Sequence, residues 1–335
     1  MCQKQYRTGL VIGKFMPFHQ GHAYLIRTAA DSVENLTVIV CDTSGYEIPA
    51  ETRKSWIREA FPNVDVRILN HDKSLDSDSI DVSKKWADTT LDFLGFTPEV
   101  VFSSEDYGLE FAKHMGSKHV MVDKKRIRYL ISGTQVRENP FINASWNMIN
   151  KAVRSMYAIK IVIVGAESTG TTTLSEDLAK FYNTVWVQEY GRVFSEGMLY
   201  VDDPDLWESE DFNHIAKMQN RMEDRLRRKC NRLLICDTDS WATSLWHLRY
   251  MGFRSPTLEN LSLGRDANLY IVTDVDIPFV QDGTRDGEHI RHWMHHQFIE
   301  DLEKSNKKFI VVSGSPEERL QIAISEINKL LQSSK

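Results

Sequence analysis

The sequence is poor in cysteine, and its cysteines have no spacing typical of a metal site. Its 335 residues contain four cysteines and no C-x-x-C pair; the four are Cys2, Cys41, Cys230 and Cys236. Unpaired thiols without metal-ligand spacing are typical of a reducing compartment. We therefore expect a cytoplasmic protein without a disulfide framework.

Long apolar runs and an excess of positive charge are also missing. No stretch reaches the length of a membrane span, and the start, MCQKQYRTGLVIGKF, lacks the apolar run of a signal peptide. The formal net charge of −6 argues against a surface that coats nucleic acid. We expect neither a membrane nor a nucleic acid as a partner, and we leave a homo-oligomer open.

Short apolar segments alternate with segments of helical periodicity, in two series. The first series contains TGLVIGKF, LTVIVCD, VDVRIL and EVVFSS; the second contains IKIVIVGAES, TVWVQEYGR, RLLICDTDS, ANLYIVTDVD and KKFIVVSGS. This alternation predicts an α/β fold of two domains, each a parallel sheet covered by helices. The polar segment NASWNMINKAVRSMY separates the series, so we predict domains at residues 1–157 and 158–335. Ligands of such sheets bind at the carboxyl ends of the strands.

The segment GKFMPFHQGH, residues 13–22, ends the first predicted strand and opens a helix. The free N–H groups of a helix N-terminus attract phosphate, and His19 and His22 can donate hydrogen bonds to a triphosphate. Taken alone, two such histidines are more typical of a surface or of half a zinc site than of a phosphate site. The pattern G-x-F-x-P-x-H-x-G-H, however, resembles the signature of the nucleotidylyltransferase superfamily. This resemblance implies a Rossmann-like domain that binds ATP through the two histidines and Gly13, Lys14, Phe15 and Gly21.

A second segment, ISGTQVR, is similar to the S-x-T-x-x-R phosphate motif of the same superfamily. Ser132 or Thr134 can cap a helix, and Arg137 lies one turn further on the face of Thr134. The resemblance implies that these residues complete a triphosphate clamp. Asp123 and Arg126 fit the D-x-x-R that precedes this motif in nicotinamide-nucleotide adenylyltransferases fused to kinases.

The acceptor substrate of the first domain is less clearly marked. KKWADTTLDFL resembles the W-x-x-T segment of nicotinamide mononucleotide adenylyltransferases, which implies that Trp86 stacks on a pyridine ring. An equally weighted alternative is that Trp86 packs in the core between helix and sheet and does not contact substrate. Arg53 and Trp56 are interpreted as helix residues. Pantetheine-phosphate and flavin adenylyltransferases share the two phosphate motifs, so the substrate assignment depends on the second domain.

The segment GAESTGTTT has the outline of a phosphate-binding loop, except that Thr171 stands where G-x-x-x-x-G-K-[ST] has its lysine. An apolar strand precedes the segment and an amphipathic helix follows it, as such a loop requires. The residues expected to contact nucleotide are Gly165, Glu167, Ser168, Thr169, Gly170, Thr171, Thr172 and Thr173, and Thr172 is expected to bind Mg²⁺.

Acidic residues end the next two strands of the second series. Glu189 stands where a nucleoside kinase can hold the base that accepts the 5′-hydroxyl proton. Asp237 is expected to bind Mg²⁺ together with Thr172, and Asp239 to contact nucleotide. Further on, DVDIPFVQDGTRDGEHIR has the composition of a lid in which Arg285 and Arg291 bind phosphate.

Together these motifs resemble bifunctional nicotinamide-nucleotide adenylyltransferase/ribosylnicotinamide kinases over nearly the whole chain. The resemblance implies ATP and Mg²⁺, with nicotinamide mononucleotide and nicotinamide riboside as the other substrates. Members that repress transcription carry an N-terminal helix-turn-helix; this sequence starts at the adenylyltransferase strand, so we expect no DNA binding.

Two positions depart from the family pattern: Phe279 replaces a tryptophan and Thr171 replaces the lysine. Loss of one preorganised charged donor typically costs on the order of 3 kcal/mol, about a hundredfold in rate. We predict an active kinase in which Arg285 or Arg291 replaces the lysine. Two alternatives stay open: a degenerate domain that senses ATP or NAD, and a kinase for another nucleoside. The histidines of HIRHWMHHQF are interpreted as a solvated helix face.

Overall fold

The computed structural model describes residues 4–76, 80–200, 206–283, 285 and 287–333. The chain divides into two compact units, Met1–Val153 and Arg154–Lys335. The division lies a few residues before the boundary at residue 157 that the sequence predicts, inside the helix Lys151–Tyr157.

The first unit is built on one parallel sheet. Its described strands are β1 (Tyr6–Gly13), β2 (Val33–Asp42), β3 (Asp65–Asn70), β4 (Val100–Ser103) and β5 (Lys118–Met121). Its helices are α1 (Gln20–Ser32), α2 (Ala50–Ala60), α3 (Ile80–Leu94), α4 (Tyr107–Met115), α5 (Gly133–Glu138), α6 (Asn143–Trp146) and α7 (Lys151–Tyr157), with a 3₁₀ turn at Lys73–Asp76. The strand order β3-β2-β1-β4-β5 reverses direction between β1 and β4, so the edge beside the end of β1 is the topological switch point where ligands bind.

The second unit repeats this plan with a different strand order. Its described strands are β6 (Ile159–Gly165), β7 (Trp186–Val187), β8 (Leu233–Asp237), β9 (Leu269–Thr273) and β10 (Phe309–Val312). Its helices are α8 (Thr171–Phe181), α9 (Tyr190–Met198), α10 (Ser209–Arg227), α11 (Ser240–Met251), α12 (Pro256–Ser262), α13 (Arg291–Lys304) and α14 (Pro316–Ser333), with a 3₁₀ turn at Glu288–Ile290. The parallel order β10-β9-β6-β8-β7 places the end of β6 at the switch point.

Burial explains why the central strands are almost uninterrupted apolar runs. Every residue of β6, β8 and β9 is buried, because helices cover both faces of a parallel sheet. One charged residue, Lys160, lies fully buried in β6. Its ammonium group pairs with Glu223 at 2.9 Å and Asp239 at 3.1 Å, which meets the requirement that a buried charge be compensated.

The predicted fold class is confirmed, with every predicted strand present. The short edge strand β5 was not predicted, and NASWNMINKAVRSMY forms two helices, α6 and α7, instead of one. Cys41, Cys230 and Cys236 are buried and unpaired, and Cys2 lies outside the described residues. In the part of the chain that the structure describes, no helix has the length and apolarity needed to cross a membrane.

Candidate active sites

In the first unit, the end of β1 leads through a tight loop into α1. Phe15 has a left-handed backbone (φ 49°) and a buried ring, and His19 caps α1 by accepting a hydrogen bond from the His22 amide at 3.4 Å. A Cβ at Gly21 would lie 3.1 Å from the His19 ring, so a larger residue would crowd the imidazole over the first turn. The loop thereby fixes both histidines at the N-terminus of α1.

The two histidine rings stack on each other, with centroids 3.7 Å apart. Burial, reinforced by the charge of Arg126, lowers the pKa of His19 to about 4. Burial, His19 and Arg126 together hold the pKa of His22 well below its usual range. Both imidazoles are therefore neutral near pH 7, and a neutral imidazole carries one N–H. His19 accepts at Nδ1, so its N–H lies on Nε2, whereas the His22 ring interacts with the Pro17 carbonyl.

The second phosphate motif packs directly against this loop. Ser132 caps α5 by accepting from the Gln135 amide at 3.1 Å. The Arg137 guanidinium donates to the Met16 carbonyl and, at 3.2 Å, to the Thr134 hydroxyl. A Cβ on Gly133 would lie only 2.6 Å from the same carbonyl, so the glycine permits this approach. The structure thus brings His19, His22, Ser132, Thr134 and Arg137 together, as the sequence predicts.

Asp123 and Arg126 shape the segment before this motif. Both have left-handed backbones, and the Asp123 carboxylate accepts from the amides of Ile127 and Arg128 at 2.9 and 3.0 Å. Arg126 lies 3.4 Å from Glu105. Asp123 therefore stabilises the backbone of this loop. The positive charge of Arg126 contributes to the lowered pKa of both histidines.

Trp86 lies at the edge of the core of the first unit. Its indole Nε1 donates to the Leu75 carbonyl at 2.7 Å, and its ring lies 4.6 Å from that of His71. Lys14 pairs with Asp76 at 2.9 Å in the same region. The ring is partly buried and packs on the core, so its position is compatible with both readings of the sequence.

Arg53, on α2, supports the backbone next to the loop that carries the two histidines. It is fully buried, and its guanidinium donates to the carbonyls of Ile48, Lys14 and Cys41. Arg53 therefore fixes the backbone of the histidine loop from α2, in agreement with its interpretation as a helix residue. Trp56, on the same helix, is also buried.

The second unit forms a phosphate-binding loop despite the missing lysine. A Cβ at Gly165 would lie 2.1 Å from the Thr273 hydroxyl oxygen and 2.5 Å from that of Thr169, so only glycine fits between them. Gly170, in the left-handed region (φ 85°), precedes Thr171 at the first position of α8. The loop and the first turn of α8 line a cavity of about 210 Å³, and Thr173 also borders it.

The acids of the second unit lie at the same cavity. The Thr172 hydroxyl donates to the Asp237 carboxylate at 2.6 Å, and the Thr171 hydroxyl interacts with the same carboxylate. Burial, followed by the negative charge of Asp237, raises the pKa of Glu189. Burial also raises the pKa of Asp237, although the two hydroxyl donors oppose this shift.

Thr172 and Asp237 have the donor set that Mg²⁺ prefers. A hydroxyl and a carboxylate oxygen lie side by side, and Mg²⁺ in nucleotide sites commonly takes one or two such ligands together with phosphate oxygens and water. The described part of the chain contains no group of three or more His, Cys, Asp or Glu side chains that could hold a metal by themselves.

Asp239 lies apart from the phosphate loop. Its carboxylate caps α11 by accepting from the Ala242 amide at 3.0 Å, and it also pairs with Lys160 and accepts from the Tyr270 hydroxyl. It is only 1% exposed, so its side chain fixes the start of α11.

The predicted lid is attached to the phosphate loop through several polar contacts. The Gly287 amide donates to Glu167 at 2.8 Å, and the Val280 amide donates to Ser168 at 2.9 Å. Arg285 lines the cavity. Arg291 instead donates to the carbonyls of Glu167, Ser168 and Ile277, so it supports the backbone of the loop.

Sequence reasoning missed an aromatic wall at this cavity. The wall consists of Trp207, Phe212, Trp246 and Tyr250, and Arg192 also lines the cavity. Arg249 stacks on Tyr250 at 4.2 Å and pairs with Glu167 at 3.3 Å. The spacing of Trp246 and Tyr250, four residues apart on one helix, was a usable signal; Trp207 carried none.

Comparisons with known proteins agree with this geometry. Residues 10–191 match the cytidylyltransferase-like family, and residues 160–319 match an AAA domain. The trifunctional NAD biosynthesis/regulator protein NadR of Escherichia coli is 30% identical over 328 residues, which cover 91% of this chain and 78% of that protein. Its counterpart in Salmonella typhimurium is 29% identical over 332 residues, covering 92% and 80%.

The chain belongs to the NadR family. Crystal structures of NadR proteins share its fold at 22% sequence identity, each covering 97% of this chain and 96% of the other. The structure in complex with NAD and AMP-PNP has a TM-score of 0.73, and the one in complex with NR has a TM-score of 0.78. Membership of the NadR family establishes a multifunctional protein of NAD biosynthesis with a nucleotidyltransferase-like unit and a phosphate-loop unit.

Proposed function

We propose that the first unit transfers AMP from ATP to nicotinamide mononucleotide, giving NAD and pyrophosphate, and that the second phosphorylates nicotinamide riboside with ATP. The observation that carries this proposal is the presence of two separate phosphate sites, in family order, in one chain of the NadR family. The product of the second reaction is then the substrate of the first.

In the first reaction, a phosphate oxygen of nicotinamide mononucleotide attacks the α-phosphorus of ATP, and pyrophosphate leaves. No covalent enzyme intermediate is needed, so the protein contributes alignment and neutralisation of charge. His19 and His22 donate to the triphosphate as neutral imidazoles, and Arg137 adds a permanent positive charge. The N-terminus of α1 provides further N–H donors.

The pyridine ring of the acceptor is assigned to the face of Trp86. The bond from its Nε1 to the Leu75 carbonyl fixes the indole plane, and a fixed electron-rich ring is suited to an electron-poor pyridinium. The ring of His71, 4.6 Å away, closes one side of this region.

In the second reaction, the 5′-oxygen of nicotinamide riboside attacks the γ-phosphorus of ATP, and ADP leaves. Glu189 accepts the hydroxyl proton. Burial and then the negative charge of Asp237 raise its pKa to about 8, and Mg²⁺ at Asp237 would offset the second cause and favour the carboxylate that a base requires. Thr172 and Asp237 hold Mg²⁺, which supplies charge neutralisation at the phosphates. The aromatic wall around Trp207, Trp246 and Tyr250 receives the pyridinium ring.

A substrate panel tests the first activity. With ATP and Mg²⁺, nicotinamide mononucleotide should give NAD and pyrophosphate, whereas phosphopantetheine and flavin mononucleotide should give no adenylylated product. His22→Ala should lower the rate about a hundredfold, because it removes a preorganised donor. The matched control is His114→Ala, an exposed histidine on α4, which should retain full activity. Formation of dephospho-CoA without NAD would reject this assignment.

A nucleoside panel tests the second activity. Nicotinamide riboside should be phosphorylated at the expense of ATP, and uridine and adenosine should react far more slowly, because they carry no positive ring for the aromatic wall. ATP binding without turnover of any nucleoside would favour the sensing alternative. Faster turnover of uridine would indicate a kinase for another nucleoside.

A further inference from the structure

The replacement of lysine by Thr171 leaves the phosphate loop without its usual cation. We propose that Arg192 and Arg285 together supply this charge and contact the transferred phosphoryl group as catalytic residues. This inference rests on the proposed kinase function and assigns a role to Arg192, a residue in the first turn of α9.

The two arginines meet at one carboxylate oxygen. Asp282 Oδ2 lies 2.8 Å from Arg192 Nη2 and 3.2 Å from Arg285 Nε. Both guanidinium groups border the same cavity as Thr171 and Thr172. A single oxygen that accepts from one guanidinium group and pairs with a second lies in a positive environment suited to a phosphate oxygen, so a phosphoryl group can replace Asp282 there.

Each arginine is also connected to the reacting side of the cavity. Arg285 Nη1 donates to the Val280 carbonyl at 2.5 Å and lies 3.5 Å from the Ser168 hydroxyl of the loop. Arg192 lies close enough to the acids for its charge to favour the ionised forms of Asp237 and Glu189. The pair therefore spans the space between the loop and the proposed base.

The other cations of the loop are bound to the protein itself. Arg291 donates to three carbonyl groups of the loop and lid. Arg319 donates to the Thr169 carbonyl and pairs with Asp276. Arg249 pairs with Glu167 and stacks on Tyr250. These three arginines shape the loop and the pocket wall. Arg192 and Arg285 differ from them because both pair with the Asp282 carboxylate, which an anion can displace, and Arg285 keeps its bond to the Val280 carbonyl.

The positive charge of the two arginines is needed while the phosphoryl group is transferred. As the bond from the 5′-oxygen to the γ-phosphorus forms and the bond to the β-phosphate oxygen breaks, negative charge develops on the leaving ADP. A lysine ammonium normally stabilises it. Guanidinium groups can bridge two phosphate oxygens at once, so two of them can replace one ammonium.

An exchange of the cation between positions tests the proposal. In the full chain, Arg192→Ala should lower kcat for nicotinamide riboside phosphorylation about a hundredfold, with little change in KM for the nucleoside. In the Arg192→Ala protein, adding Thr171→Lys should raise kcat at least about tenfold. In the parent protein, Thr171→Lys should change kcat by less than about threefold. Arg225→Ala, an exposed arginine on α10, is the matched control, and amide hydrogen exchange in β6 shows whether the second unit of each variant is folded.

Equal gains from Thr171→Lys in both backgrounds, or an Arg192→Ala rate within threefold of the parent, would overturn the proposal. If the parent protein phosphorylates no nucleoside, the proposed kinase function fails. The role of Arg192 in contacting phosphate is then tested by the affinity of the second unit for MgATP. Titration with MgATP, with NAD present to occupy the first unit, should then show about tenfold weaker binding for Arg192→Ala and none of this loss for Arg225→Ala. Unchanged binding would reject the role of Arg192.

Discussion

At the scale of single residues, the proposed Mg²⁺ site of the second unit consists of Thr172 and Asp237. The bond of 2.6 Å between them holds the Thr172 hydroxyl beside the carboxylate at the end of β8. Two hydroxyls, from Thr171 and Thr172, act on this one carboxylate, so Thr171 has become part of the polar surroundings of the metal ligand.

Thr172→Ala should lower nicotinamide riboside phosphorylation about a hundredfold, because it removes a Mg²⁺ ligand and the partner of Asp237. Thr172→Ser should keep most of the rate, since the hydroxyl remains. Thr257→Ala, at an exposed position of α12 away from the cavity, is the matched control and should change the rate little. Steady-state rates at saturating and at limiting Mg²⁺ provide the measurement. Equal losses for the alanine and serine variants would argue against metal ligation.

His19 gives a prediction for the pH dependence of stability. Its pKa, lowered from 6.5 to about 4, means that an unfolded histidine takes up a proton in this range while the folded one stays neutral. The unfolded state therefore binds more protons, and the free energy of unfolding of the first unit should fall as the pH drops from 6.5 towards 4. Amide hydrogen exchange in β1 measures this. His19→Asn supplies a capping oxygen in place of the ring Nδ1 but cannot titrate here, so its slope should be shallower. An unchanged slope would contradict the assigned pKa.

The role of a residue can be predicted from the sequence when that role depends on the local backbone. His19, Ser132 and Gly165 lie in strand–loop–helix contexts that are readable from neighbouring residues, and the structure has these contexts. Arg291 and Asp239 differ, because their partners are distant in sequence: Arg291 bonds to carbonyls of the phosphate loop, and Asp239 pairs with Lys160. A motif gives the residue type, whereas the direction of a long side chain depends on tertiary packing.

At the scale of elements, the phosphate loop depends on the close approach of β6, β9 and α8. Gly165 lies between the hydroxyl groups of Thr169 and Thr273, which themselves bond at 2.7 Å. This bond joins the loop to the end of β9. The conformation of the loop is therefore determined by the sheet as well as by its own glycines.

Gly165→Ala should destabilise the second unit by about 1–3 kcal/mol, because its Cβ has no room. It should also weaken ATP binding there, since the threonine bond must break or shift. Gly197→Ala in α9 is the matched control: no atom lies within 4 Å of its added Cβ, so stability should stay unchanged or rise by up to about 1 kcal/mol. Urea unfolding, monitored by hydrogen exchange of the β6 amides, measures the free energy of unfolding of the two variants. Equal stabilities would contradict the packing argument.

Some elements were beyond prediction from local pattern. The strand β5 has only four residues with the sequence KHVM, its two end residues are exposed, and it lacks an apolar run. Its pairing with β4 is a property of the completed sheet. The segment before the second unit was predicted as one helical stretch, but Met148 and Ile149 make backbone contacts with Gln20 and His19 that interrupt it.

At the scale of the whole molecule, the chain combines two phosphate-binding units whose proposed reactions are consecutive. Each unit places its phosphate motif at the switch point of its own parallel sheet. The order of motifs along the chain, more than any single motif, indicated the NadR family, because each short pattern occurs in unrelated proteins.

The most direct test of the account is the conversion of nicotinamide riboside to NAD by this chain alone. With ATP and Mg²⁺, we expect transient nicotinamide mononucleotide followed by NAD, with one ADP and one pyrophosphate released for each NAD. Asp237→Asn should stop the sequence before the mononucleotide, and His22→Ala should stop it after the mononucleotide. Formation of NAD from supplied nicotinamide mononucleotide, with no mononucleotide ever formed from the riboside, would contradict the claim that the second unit is an active kinase without the loop lysine.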